Sequence, residues 1–364
     1  MKSINKTLFQ ALLATLAWPA ANAMAMPVDQ TRCEFEPLIS ANLKVHVRDL
    51  NTLYVPRDAR IGTTIGTPEL FEATLDQNNL ALLCRTYGER INFNFQAARG
   101  VHPPLPAVDR RLLDAPVLRT NIPGIGAIVE LLHPFLGGTD QFIPDSRPPR
   151  VPFTAYYEQT QLGPATLATF RHRITLVKTG DLPPGEHQLD GVLVTGHLDW
   201  GGFGKVLEYT LRAMVIQTQC DASADVSANP VDLGEWSVND FTGPGFTTPP
   251  AAFQVRLSNC QVDPDPGNET LATIELDGIN GSRPIGPADE NVFSLTDDSA
   301  ARGIGIQMLY NGVSMPLNKE IDLVPLTSNN VPLNFQARFY QTEPNSSLRP
   351  GLAKGALNFT IRYR

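Results

Sequence analysis

Apolar and polar side chains alternate along much of this chain with a period of two. In the closing stretch GLAKGALNFTIRYR the apolar positions Leu357, Phe359, Ile361 and Tyr363 fall at every second place. That is the pattern of a half-buried β-strand, yet a chain end frays unless something ties it down. The same reading predicts strands over Leu80–Cys84, Ile91–Phe95, Val117–Thr120, Ala165–Val177, Leu189–Gly196 and Lys205–Ile216 in the first half. In the second half it predicts Ala222–Val226, Phe253–Asn259, Leu271–Leu276, Gly303–Leu309, Leu333–Tyr340 and Lys354–Tyr363. Turn signals such as DPDPGN (263–268) and NG (311–312) separate them. Nothing in the pattern demands a helix longer than two turns. The longest strand, Lys205–Ile216, runs toward Cys220 and is placed to carry the chain from one domain to the next.

Composition sharpens this all-β reading. Pro (31) and Gly (28) make up about one residue in six of the 364, and only 18% are charged. HPPLPAVDRRLLDAP (102–116) crowds prolines and predicts an extended surface loop that exposes Arg110 and Arg111. The start reads as a secretory leader, residues 1–23. Lys2 and Lys6 precede a short apolar run from Leu8 to Trp18, and Ala21-Asn22-Ala23 fits a small-x-small cleavage site, with Ala25 as the other choice. The run is too short to span a bilayer. Removing residues 1–23 takes the formal net charge from −8 to −10, which disfavours nucleic acid as a partner.

Export makes disulfides the default for Cys33, Cys84, Cys220 and Cys260. Of three possible connectivities, Cys33–Cys84 with Cys220–Cys260 keeps each pair within one half of the chain. Closing such loops stabilises by roughly 4 kcal/mol each in the chain-entropy model. No CxxC or CxH spacing indicates a metal site, no cofactor motif is present, and GxSxG, HExxH and P-loop patterns are missing, so an enzyme is not expected. His172 in FRHRITL alternates with apolar positions and reads as a satisfied strand residue.

The second half resembles the pilin domain of chaperone–usher pili. Cys220-Asp-Ala opens it, FQVRLSNC (253–260) closes its cysteine pair, and SAARGIGIQMLYNG (299–312) matches a small-residue run followed by a Gly-Ile-Gly-Ile-Gln strand. VPLNFQARFYQT (331–342) looks like the long strand that flanks the family's open groove. Gly351 and Tyr363 stand fourteenth and second from the end. The resemblance implies two β-sandwich domains, immunoglobulin-like or jelly-roll-like. The C-terminal one (218–364) is an incomplete sandwich that lacks its seventh strand, with Gly351, Leu357, Phe359, Ile361 and Tyr363 at a donor-strand groove. It also implies a periplasmic pilus chaperone, an outer-membrane usher and an adjacent strand-donating pilus subunit as partners. Residues 24–217 occupy the place of a short donor extension, so the resemblance implies a subunit that caps a fibre: a tip adhesin at the bacterial surface. LYVPRDARIGTTIG (53–66) and VLRTNIPGIGAIVEL (117–131) look like stretches of type 3 pilus tip adhesins. Ile122-Pro-Gly-Ile-Gly126 reads as scaffold, a turn leading into a strand.

No family binding motif matches residue by residue. Two loops carry suitable chemistry for a host glycan or an extracellular matrix protein. GHLDWGGFGK (196–205) offers Asp199 to accept from vicinal hydroxyls, Trp200 or Phe203 to stack on a sugar face, and the neighbouring His197. RTYGER (85–90) offers Arg85, Tyr87 and Arg90 to an acidic or protein ligand. A structural cap or adaptor with no external ligand is the alternative, and a self-complemented secreted protein is a further one.

Overall fold

The computed structural model describes residues 30–364 apart from 38–41, 107–111, 113, 159–162, 225–229 and 289. The leader, both of its cleavage points, and Arg110 and Arg111 lie outside the described residues. The first half holds β1 (Arg32–Glu36), β2 (Lys44–Pro56), β3 (Thr64–Leu75), β4 (Ala81–Arg85), β5 (Ile91–Ala97), β6 (Leu118–Arg119), β7 (Ile125–Leu131), β8 (Ile143–Pro144), β9 (Phe153–Tyr157), β10 (Ala165–Leu167), β11 (Thr169–Lys178), β12 (Glu186–Asp199) and β13 (Gly204–Thr218). A sheet ordered β2-β13-β12-β5-β9-β8 faces one ordered β3-β11-β7-β6, and β1-β4-β10 form a smaller third sheet. Two tight aromatic contacts, Phe93 with Phe95 and Phe95 with Phe135 (ring centroids 4.5 and 4.8 Å apart), sit at the heart of this core.

The second half holds β14 (Asp221–Ala224), β15 (Ala251–Ser258), β16 (Leu271–Gly278), β17 (Pro284–Ile285), β18 (Val292–Phe293), β19 (Ile304–Tyr310), β20 (Val313–Ser314), β21 (Ile321–Pro325), β22 (Val331–Gln341) and β23 (Leu357–Tyr363). One sheet runs β14-β15-β22-β19-β18-β17 with β20 beside β19, and the opposing one runs β21-β16-β23. Strands up to β13 pair only among themselves, as do strands from β14 on. The molecule is thus two all-β sandwiches, and Cys33–Cys84 and Cys220–Cys260 are bonded within their own halves. Single 3-10 turns occur at Val238–Asp240 and Asn345–Ser347.

Three expectations need correction. The stretch Ala165–Val177 is not one strand: it breaks at Ala168, so that β10 joins the small sheet and β11 the four-stranded one. The freed Ala168 carbonyl accepts from Lys44 Nζ at 3.2 Å. The final strand starts at Leu357 rather than Lys354. VPLNFQARFYQT does not border an open edge, because β22 has β15 on one side and β19 on the other. Its Leu333, Phe335 and Phe339 instead join the core that Ile361 and Tyr363 enter. Gly124, in Ile122-Pro-Gly-Ile-Gly126, adopts φ 92°, and a Cβ there would lie 2.8 Å from the Asp181 carbonyl oxygen. Only glycine fits that turn.

A polar layer crosses the first sandwich near its β2 and β3 edges. Lys44 on β2 is fully buried and donates to the Leu80 carbonyl. Asp76 accepts from the backbone N–H of Asn78 (2.8 Å) and Leu80 (3.0 Å). Burial lowers the Lys44 ammonium to about 8, with Asp76 opposing. His46 Nδ1 lies 3.3 Å from Thr74 Oγ1, and His172 Nε2 lies 2.9 Å from the Tyr209 hydroxyl, linking β2 to β3 and β11 to β13. His172 is therefore the satisfied strand residue that its alternation suggests.

Burial depresses both imidazoles to about 4. An unfolded chain takes up those protons near pH 6.5, so it binds protons that the folded chain refuses as pH falls below that value. Stability is full above about pH 6.5 and drains as pH falls toward 4, by roughly 3 kcal/mol per histidine at most. Denaturant titrations of the full chain at pH 7 and pH 4.5 should show this loss, and His46→Gln should shrink it by about half. Equal stability at both pH values would contradict the assignment.

Candidate functional site

Two regions combine exposure with directed chemistry: the free edge of β23 and the pole of the first sandwich farthest from the second.

The edge follows from backbone alternation. Arg364 and Leu271 exchange both of their backbone hydrogen bonds, Arg364 N to Leu271 O at 2.9 Å and Leu271 N to Arg364 O at 2.7 Å. In an antiparallel pair, residues whose groups face the partner alternate with residues whose groups face away. Residues 358, 360 and 362 therefore turn toward β16, and 357, 359, 361 and 363 turn outward. Among the described residues no strand pairs with that outer edge.

Side chains at the outward-bonding positions point into the sandwich. Tyr363 is 1% exposed and Ile361 9%, but Phe359, on the same face, is 38% exposed. Leu357 is half-buried against the same core. An inward-facing phenyl ring that water reaches marks a sandwich with a layer missing beside it. Tyr363 is anchored by its hydroxyl, which donates to the Cys220 carbonyl at 3.0 Å; burial raises its pKa. Gly351 lies outside β23, six residues before it, with φ 149°. A Cβ there would meet Ala300 Cβ at 2.7 Å, so it secures the approach to the strand rather than the edge itself.

The pole is built by two turns. The β12–β13 hairpin closes through Trp200 to Phe203, with Gly201 and Gly202 at φ 57° and 75° and Phe203 N donating to Trp200 O at 3.1 Å. The turn before β5 holds Tyr87 and Arg90. Register joins them: β12 pairs with β5, and Asp199 stands opposite Asn92, two residues after Arg90. Sequence reading treated these loops as separate candidates, whereas the sheet brings them to one end.

Asp199, Arg85 and Tyr87 are exposed there. Trp200 and Phe203 are partly committed to the core, Phe203 at 6.0 Å from the Phe35 ring. His197 is half-buried with Nε2 3.3 Å from Thr195 Oγ1. Arg90 donates to Glu158 Oε2 through Nε (2.9 Å) and Nη2 (2.7 Å) and lies 4.2 Å over the Tyr156 ring. Glu158 and Tyr156 carried no signal in the sequence; strand pairing of β9 with β5 alone delivers them. The pole thus brings together the acid of Asp199, the fixed guanidinium of Arg90 and the four aromatic rings of Tyr87, Tyr156, Trp200 and Phe203. β13 runs from it to Thr218, about 45 Å away at strand rise.

Two cavities lie away from both regions. One of about 550 Å³ sits around Gln254, Asn334, Gln336 and the Asn311–Gly312 turn, and one of about 310 Å³ sits at the junction around Gln217, Gln219 and Gln261. Among the described residues no group of three or more His, Cys, Asp or Glu is placed to hold a metal ion.

Comparison with known proteins bears on the second sandwich. Residues 208–364 match the family described as Fimbrial protein. The PRS fimbrial minor pilin protein of Escherichia coli is 26% identical over 191 residues, covering 51% of this chain and 90% of that protein. Among solved structures, the CupB6 tip adhesin from Pseudomonas aeruginosa aligns over 92% of this chain and 94% of its own at 15% identity and a TM-score of 0.37. The receptor binding domain of the plasmid-born adhesin MrkD1P of Klebsiella pneumoniae covers 52% of this chain and 98% of its own at 16% identity and a TM-score of 0.33. The family match begins within β13 and runs through the second sandwich, whose last strand has no strand partner on its outer edge among the described residues.

Proposed function

We propose that this chain is a tip adhesin of a chaperone–usher fimbria, displayed at the bacterial surface after passage through the periplasm. Its C-terminal domain, from residue 218, accepts an extended strand from another subunit along β23. Its N-terminal domain, up to residue 217, meets a host glycan or matrix protein at the remote pole. The observation that carries the reading is Phe359, exposed on the inward face of a strand whose outer edge has no strand partner among the described residues. An extended segment with alternating apolar side chains satisfies both needs at once: its backbone pairs with residues 357–361 and its side chains cover the phenyl ring. Such an edge is an aggregation hazard when bare, which is why a periplasmic chaperone covers it first and the usher then hands it to a neighbouring subunit.

The segment ahead of the C-terminal domain supports the capping role. β13 is paired on both sides, by β12 and β2, and ends three residues before β14 begins. No free stretch is left there to lend. A cap with no external ligand is the alternative, and the exposed acid, guanidinium and aromatics at the pole favour the adhesin.

Two outcomes follow. Expressed without chaperone, the full chain should aggregate or be degraded, and a synthetic alternating apolar peptide should rescue it; Phe359→Ala should weaken that peptide roughly tenfold through lost apolar burial. A stable bare monomer indifferent to peptide would count against the open edge. On arrays of glycans and matrix proteins, Asp199→Ala and Tyr87→Ala should reduce binding at least tenfold while fimbriae still assemble. Undiminished adherence in both variants, and in Arg90→Ala, would favour the structural cap.

A further inference from the structure

The outer edge of β23 is not free along its whole length, and what occupies its end comes from the other domain. The loop after β2, part of the LYVPRDARIGTTIG stretch, reaches across the junction. Asp58 N donates to the Tyr363 carbonyl at 2.9 Å, and Tyr363 N donates to Asp58 Oδ2 at 2.9 Å. Arg57 Nη2 donates to the Ile361 carbonyl at 3.3 Å, and its guanidinium lies 5.0 Å from the Tyr363 ring centroid. Arg57 and Asp58 also pair with each other at 3.1 Å. Asp58 thus imitates one residue of a neighbouring strand, giving a backbone donor and a side-chain acceptor to a single β23 residue.

The first sandwich holds this loop firmly. Arg57 N donates to Thr218 O at 3.1 Å, extending the pairing of β2 with β13. Lys178 Nζ, buried, donates to the Pro56 and Arg57 carbonyls, and Gly62 N donates to Lys178 O at 2.8 Å. Moving Arg57 and Asp58 off β23 therefore means tilting the whole N-terminal domain or breaking these contacts. Among the described residues, the outward groups still open to a strand are both groups of Leu357 and Phe359 and the N–H of Ile361.

We propose that the Arg57–Asp58 loop is a built-in stop that sets the register of the incoming strand. The reading rests on the acceptor edge proposed above. The partner strand pairs over Leu357–Ile361 and ends where Asp58 begins. The C-terminal domain alone does not define its own binding site, because the adhesin domain supplies the wall at one end.

The test uses the full mature chain prepared with a bound alternating apolar peptide of about five residues, enough to span Leu357–Ile361 at one residue opposite each. Peptides lengthened by two residues at either end are exchanged in by competition, and amide hydrogen exchange is followed residue by residue. Phe359 and Ile361 amides should gain protection with the short peptide, whereas Tyr363 should be protected already and unchanged. Lengthening toward Tyr363 should leave affinity within about twofold in the native chain. It should raise affinity about tenfold in the Arg57→Ala/Asp58→Ala variant, the worth of one or two net hydrogen bonds. Asp58→Asn keeps the backbone donor and a side-chain oxygen, and should behave as native. A tenfold gain in the native chain, with Tyr363 protection transferred from Asp58 to peptide, would overturn the stop while leaving the open edge intact. No protection of Phe359 or Ile361 by any peptide would overturn the open edge itself.

Discussion

A strand inside a sandwich must satisfy its backbone on two edges and its side chains on at least one face. β23 meets this requirement on one edge only. β16 takes the groups of residues 358, 360 and 362, and the core takes Ile361 and Tyr363. Among the described residues the second edge meets only the Arg57–Asp58 loop, at its Tyr363 end, and has no strand partner beside Leu357 and the exposed ring of Phe359. An unpaired backbone row costs little while water reaches it, but it recruits any extended segment that arrives. Specific assembly requires that the right segment arrive first and stop in the right place.

With the proposed stop, the two domains share that task. Arg57 and Asp58 belong by sequence to the N-terminal half, yet their hydrogen bonds end on the last strand of the other half. The junction is further tied by Thr218 and Thr270, whose hydroxyls lie 2.8 Å apart. The domains therefore meet through directed hydrogen bonds, which fix orientation more narrowly than an apolar contact of the same size.

How much of this was legible in residue order depended on how regular each strand is. β23, β13 and β12 carry enough alternation to be read as strands, whereas the groove along Leu357, Phe359, Ile361 and Tyr363 was an expectation of the family resemblance and not of the spacing. β7, IGAIVEL, is buried on both faces and shows no alternation, so its signal was the turn at Ile122-Pro-Gly-Ile-Gly126 that leads into it and not its own spacing. β2 hides because its inward positions include Lys44 and His46, and β3 because its inward positions include Glu72 and Thr74. Those polar residues form the buried layer, where partners are long-range and invisible to spacing. The pole was legible as two loops but not as one surface: only the register of Asp199 against Asn92 unites them. Arg57 and Asp58 drew notice as part of a familiar-looking stretch, and their role depends on Tyr363, some three hundred positions away.

The long strand β13 has a mechanical consequence. It begins at the pole hairpin and ends at Thr218, two residues before the Cys220–Cys260 bridge, with β12 antiparallel on one side and β2 parallel on the other. A tether pulling on the C-terminal domain while the pole is held loads these ladders along their length. The hydrogen bonds then share the tension in shear instead of peeling one after another, and the bridge passes the load straight into β15's end of the second sandwich. The same element that displays the pole is the spar that ties the first sandwich to the second under tension.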